Sequence, residues 1–119
     1  MPEYGYADFA HQFDKCWICG KRHNAFVWEG GLQTHHITRG VHRAKGVLLP
    51  ETWIRTCVRC HEDDLAAMPI AKQLAYKRIH DKEHYDLDLI NHLRRRAPTA
   101  ITGDEVMEEV RKIQEVSDG

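Results

Sequence analysis

Trp53-Ile54-Arg55-Thr56-Cys57-Val58-Arg59-Cys60-His61 is the stretch on which the fold turns. Its first four residues have the aromatic and β-branched character of a half-buried extended strand, with Pro50 just ahead of it. The strand runs directly into a Cys-x-x-Cys loop, and a histidine follows the last thiol. Such a loop presents two sulfurs on the same side. A second one, Cys16-Trp17-Ile18-Cys19, stands upstream, and the two together provide the four thiolates of one tetrahedral ion, for which Zn²⁺ is the natural occupant. Gly20 lets the backbone turn tightly beneath the metal, and Lys21 and Arg22 bring positive charge to a formally dianionic tetrathiolate zinc centre.

Cys57-Val58-Arg59-Cys60-His61 also satisfies the attachment pattern of a c-type haem. Zinc is the expectation, because haem is attached in an exported, oxidising compartment and the opening residues Met1 to Lys15 contain no apolar run that could direct export. Haem would also leave Cys16 and Cys19 without a role. A thioredoxin-like redox pair belongs in a βαβ context that the chain lacks. The remaining alternative is four cysteines that are simply buried or joined as disulfides.

The 119 residues suit one small domain whose modest core gains from a metal clip. No stretch approaches a membrane span in length, and with no export signal the expected location is the cytoplasm, where thiols stay reduced. Net charge is −1, from 17 Lys and Arg against 18 Asp and Glu, so overall charge does not point to nucleic acid. Its distribution does. Between Lys15 and Arg59 the basic residues Lys15, Lys21, Arg22, Arg39, Arg43, Lys45, Arg55 and Arg59 face only Glu29 and Glu51. A cationic centre followed by an acidic C-terminal stretch fits local engagement of phosphates.

The chain has three parts and no internal repeat. Residues 1–15 form an N-terminal extension in which Phe9 and Phe13 lie one helical turn apart, placed to pack on the metal module. Residues 16–66 are the reactive core. Here Gly30-Gly31 breaks the chain, Leu32 to Ile37 reads as a short strand, Arg39 to Gly46 as a basic loop and Trp53 to Thr56 as the return strand, with a helix from about Cys57 that carries His61 in its early turns. Residues 67–119 read as helical support. The first helix starts at Pro69, with Ile70, Leu74 and Ile79 apolar and Lys72, Lys77 and Arg78 polar. The second begins at an Asp86 N-cap, carries Leu87, Ile90 and Leu93 and stops before Pro98. In the third, Thr102 and Glu105 form a capping box ahead of Val106, Val110 and Ile113.

Taken together, Cys16-x-x-Cys19, Thr34-His35-His36-Ile37 and the stretch from Trp53 to His61 resemble the zinc-containing branch of the HNH endonucleases. The resemblance covers residues 16 to about 65. It implies an α+β fold: a small ββα-metal (His-Me finger) core with a four-cysteine zinc site and a helical C-terminal extension. It also implies metal-dependent hydrolysis of DNA, with His36 as general base and a divalent cation (Mg²⁺, Mn²⁺, Ni²⁺ or Zn²⁺) held by His35 and His61. The chemistry suits the assignment, since an imidazole can take a proton from water near neutral pH. Adjacent residues of a strand point to opposite faces, so the two histidines cannot both be core residues on one side.

The chain departs from the family pattern twice. The asparagine that names the family is replaced by Thr52, whose hydroxyl has one donor where the amide has two. Four residues beyond His61, where a further ligand is usual, stands Leu65, and Asp64 is the nearest substitute oxygen ligand. In the loop between the strands Arg39, His42, Arg43 and Lys45 are the expected DNA contacts, made to phosphates rather than bases. His11, His23, His80, His84 and His92 have no ligand partners at informative spacing, and Trp17, Trp28 and Trp53 read as packing residues.

The expected activity is therefore that of a nickase-like endonuclease, a monomer or weak dimer whose partner is DNA, with no membrane association. The resemblance adds a bacterial or phage setting, with phage packaging proteins as further partners. The alternative, motivated by Thr52 and Leu65, is a catalytically impaired zinc-containing module that binds nucleic acid or serves phage assembly.

Overall fold

The computed structural model of the chain describes residues 5–20, 32–37, 49–57, 59–60, 68–94 and 99–118. Within these residues it is a small mixed α+β fold: a two-stranded antiparallel sheet, a cluster of four cysteines and four α-helices with defined bounds.

Helix α1 (Tyr6–Gln12) begins where Gly5 N donates to Asp8 Oδ2 at 2.8 Å, a carboxylate placed favourably in the first turn. It directs Phe9 inward, and the rings of Phe9, Phe13 and Trp17 meet at 4.9–5.7 Å. The N-terminal extension thus packs on the first cysteine loop as its aromatic spacing predicts.

Strand β1 (Leu32–His36) pairs with β2 (Trp53–Cys57), Leu32 opposite Cys57 and His36 opposite Trp53. One end of this ribbon therefore holds a cysteine and the other holds the histidine doublet. A 3₁₀ turn at Pro50–Thr52 leads into β2. Every residue of β2 is buried: the Phe9 ring of α1 packs on Trp53, and Lys77 from the C-terminal half donates to Trp53 O. The β2 backbone is also fastened by Trp17 N donating to Arg55 O at 3.0 Å. Arg55 itself is buried and donates through Nε to Phe13 O and through Nη1 to Thr34 Oγ1, each at 3.2 Å. Burial lowers its pKa from the ordinary value.

Helix α2 (Ile70–His80) follows Pro69, its N-cap, and α3 (Leu87–Leu93) follows Asp86, whose Oδ1 accepts from Leu89 N at 3.0 Å. Helix α4 (Gly103–Asp118) starts with Glu105 N donating to Thr102 Oγ1 at 3.1 Å. Asn91 of α3 holds the approach to α4 by accepting from Ile101 N and donating to its carbonyl. One hydrophobic cluster unites Phe9 and Trp17, Ile37, Trp53 and Ile54, Leu74 and Ala75, Ile90, and Val106 and Val110. Among the described residues, no helix is long and apolar enough to cross a membrane.

The periodicity misassigns one residue of α2. Lys77, placed by the sequence on the polar face, has 0% exposure in the centre of the molecule. Its ammonium donates to Pro50 O (2.7 Å), Trp53 O (2.8 Å) and Asp81 Oδ2 (2.8 Å), and lies over the Phe9 ring. Three acceptors and an aromatic face replace the water that the charge gives up.

Candidate functional site

Cys16 and Cys19 lie on a turn closed by Gly20 N donating to Cys16 O at 2.9 Å. Gly20 has φ of 75°, the left-handed conformation that glycine adopts without cost. Cys57 ends β2, and Cys60 N donates back to its Sγ at 3.5 Å. Thr56 Oγ1, 3.7 Å from Cys16 Sγ, bridges the two loops. All four sulfurs lie within 4.8 Å of one another, so Cys16, Cys19, Cys57 and Cys60 are positioned to hold one metal ion. Cys19 is exposed and the other three are buried.

The local electrostatics differ sharply between the sulfurs. Burial raises the Cys16 pKa, but the main-chain N–H groups of Cys19, Cys57 and Ile18 and the Thr56 hydroxyl outweigh it and bring the value down to about 7. At Cys60, burial, the Cys57 sulfur and the charge of Cys16 all act upward. One thiolate forms readily and opposes ionisation of the next, so a cation is needed to collect the full set.

At the other end of the ribbon, His35 and His36 diverge. His35 shares a face with Ile54 and is 4% exposed, with Nε2 3.0 Å from Gln73 Oε1 in α2. His36 shares a face with Trp53 and is half-buried. Immediately beyond the doublet, Ile37 N donates to Thr52 O at 2.8 Å. Thr52 is fully buried, and its hydroxyl donates to Leu49 O at 2.8 Å. The residue at the asparagine position of the family pattern thus ties the 3₁₀ turn to itself and the strand end to the turn.

His35, His36 and Thr52 are brought together by the start of the hairpin. His61, Asp64, Leu65, Arg39, His42, Arg43, Lys45 and Trp28 lie outside the described residues. Trp17 and Trp53 are packing residues, 4% and 1% exposed. Sequence reasoning missed Gln73 and Lys77, which come from α2 to the histidine end of the ribbon. A signal was present: Gln73, Lys77 and Asp81 recur at four-residue steps, a polar stripe on one helical face. No protein-family model, no curated protein and no solved structure matches this chain.

Proposed function

We propose that this protein is a metal-dependent DNA endonuclease of the HNH type, built on a ββα-metal core whose four-cysteine site holds structural zinc. Zn–S bonds of ~2.3 Å set tetrahedral sulfurs ~3.8 Å apart, so a cluster already within 4.8 Å needs only a small contraction to close on the ion. The helical residues Arg59 and Cys60 follow β2, as the third element of such a core would.

The observation that carries the reading is the divergence of the adjacent histidines at the Thr52 end of the ribbon. His35 turns inward to a buried hydrogen-bond partner, and His36 stays half-buried beside Trp53. One inward and one accessible imidazole is the division of labour that a ligand and a general base require. His36 takes a proton from water as the water oxygen bonds to phosphorus and the bond to the 3′ oxygen breaks. His35 belongs to the cation site with His61 and Asp64. A divalent cation bound there supplies charge that polarises the phosphate and stabilises the departing oxygen. Arg39, His42, Arg43 and Lys45 contact the phosphate chain, and Thr52 holds the strand end that carries His36. A single centre nicks one strand per encounter.

The inward bond of His35 also supports a second reading, because a buried histidine satisfied by a glutamine is a sound packing arrangement. The protein is then a zinc-clamped nucleic-acid-binding or phage assembly module without hydrolysis. Incubating supercoiled plasmid with the zinc-loaded protein and Mg²⁺, Mn²⁺ or Ni²⁺ separates the two. Nicking that His36→Ala abolishes, with DNA binding and zinc content retained, supports the nuclease. Absence of nicking with every cation leaves the binding module.

A further inference from the structure

Helices α2 and α4 and the turn of the first cysteine loop line a groove of about 470 Å³. That volume lies in the range of small-molecule sites, and the space between packed helices is a usual place for one. Its apolar lining comes from Ile18, Ile79 and Ile113, each partly buried against the core. The polar lining is weighted towards donors. Trp17 is 4% exposed, and its Nε1–H, sealed from solvent, has no acceptor among the described residues. A buried donor in that state is rare and costly. Lys72 of α2 is half-buried, and its ammonium makes no ion pair or hydrogen bond among the described residues. Lys112 of α4 approaches Glu109 only to 3.7 Å, too far for a hydrogen bond. Two ammonium groups thus stand against one carboxylate, and burial biases the His80 imidazole beside them to its neutral form.

We infer that this groove is a binding site for a small organic anion, a carboxylate carried on an aryl or branched aliphatic body. The carboxylate supplies the acceptor lone pairs that Lys72 and the Trp17 Nε1–H lack, and the isoleucines cover the apolar body. Bonds from an ammonium to a carboxylate are charge-assisted and stronger than neutral ones. A neutral ligand of the same shape leaves the Lys72 charge unanswered, and a cationic one meets the surplus of positive charge. The inference is independent of the nuclease reading, because His35, His36 and Thr52 do not line the groove.

Titrating the full zinc-loaded chain with naphthoate, with the uncharged naphthalenemethanol and with the cationic naphthylmethylamine tests this, read by calorimetry and by the ¹H–¹⁵N resonance of the Trp17 indole. Naphthoate should bind and move that resonance, and the alcohol and the amine should bind at least about 10-fold more weakly. Lys72→Met should weaken naphthoate binding about 10–100-fold, the scale of one lost hydrogen bond between charged groups, with zinc content and melting curve unchanged. Lys72→Arg, which keeps the charge, should retain most of the affinity. Arg111→Gln removes a cation that is paired with Glu108 and Glu115 and does not line the groove, and it should change nothing. Equal affinity for the alcohol, undiminished binding by Lys72→Met, or a naphthoate complex that leaves the Trp17 resonance in place overturns the inference. So does the absence of naphthoate binding at millimolar concentration, and an acidic peptide or a second copy of the chain found in the groove in its place assigns it to that occupant instead.

Discussion

The Lys77 ammonium lies 2.8 Å from Asp81 Oδ2 with the two side chains 0% and 1% exposed, a buried ion pair one helical turn long at the point where α2 meets the hairpin. Burial lowers the Lys77 pKa, and the Asp81 hydrogen bond and charge act against that shift. Desolvating both charges is expensive, so the pair's value lies in being complete. Asp81→Ala leaves an ammonium with two carbonyl acceptors and only the more distant charge of Glu51, and should cost about 3–5 kcal/mol in denaturant unfolding. Lys77→Met combined with Asp81→Ala should cost less than the sum of the single changes, since no orphaned charge remains. Strict additivity would show that the two residues are not coupled.

The cysteine cluster should bind one zinc per chain, and its loss should unfold the hairpin. Cys57 both ends β2 and receives the Cys60 N–H, and the four sulfurs join the first cysteine loop to the end of β2. Chelation, or Cys57→Ser, should abolish the near-ultraviolet circular dichroism of buried Trp17 and Trp53 and weaken the cooperative thermal transition. Zinc binding must displace thiol protons, so the apparent affinity should rise with pH through neutrality. A chelated protein with an unchanged spectrum and melting curve would show that the cluster is not a structural clamp.

How far the fold can be read from the chain depends on whether a signal is local. Cys-x-x-Cys spacing, the alternation around His35-His36 and the caps at Asp86 and Thr102 are each written within a few residues, and they recur in the structure as the sulfur cluster, β1 and the starts of α3 and α4. The polar stripe of α2 is different. Gln73 and Lys77 look like a solvated face because the sequence does not disclose which side of a helix meets the sheet. Their partners, His35, Pro50 and Trp53, lie 20 or more residues away, and polar interior contacts leave no hydrophobic periodicity. The strand that carries the histidine doublet is therefore legible in the sequence, and the glutamine bonded to His35 is not.

Thr52→Val tests the hinge behind His36. The exchange preserves shape and removes the hydroxyl bond to Leu49 O, a carbonyl that also accepts from Thr52 N and so keeps a partner. Stability should fall by about 1 kcal/mol. Nicking should decline by more than this stability loss explains, because Thr52 O holds Ile37 N, adjacent to His36. Unaltered nicking would relieve Thr52 of any part in placing the base.

His80 should make stability dependent on acid. Its ring stacks on Trp17 at 5.2 Å and 14° and on Tyr76 at 6.4 Å and 11°, while the residue as a whole is exposed. Covering of the ring lowers its pKa below the ordinary 6.5, and the Trp17 main chain offsets this only in part. The folded state therefore gives up its proton more readily than the unfolded chain. As pH falls below 6.5 the unfolded chain gains protons first, so this contribution to stability is intact above 6.5 and is lost as pH drops through the folded value. Acid also releases zinc from thiolates, which makes the difference between proteins the informative quantity. Unfolding free energies of wild type and His80→Gln, compared between about pH 5 and 7 at constant zinc content, should diverge in a pH-dependent manner, with the wild type losing more on acidification. Parallel profiles would show that the stacked ring titrates like one in water.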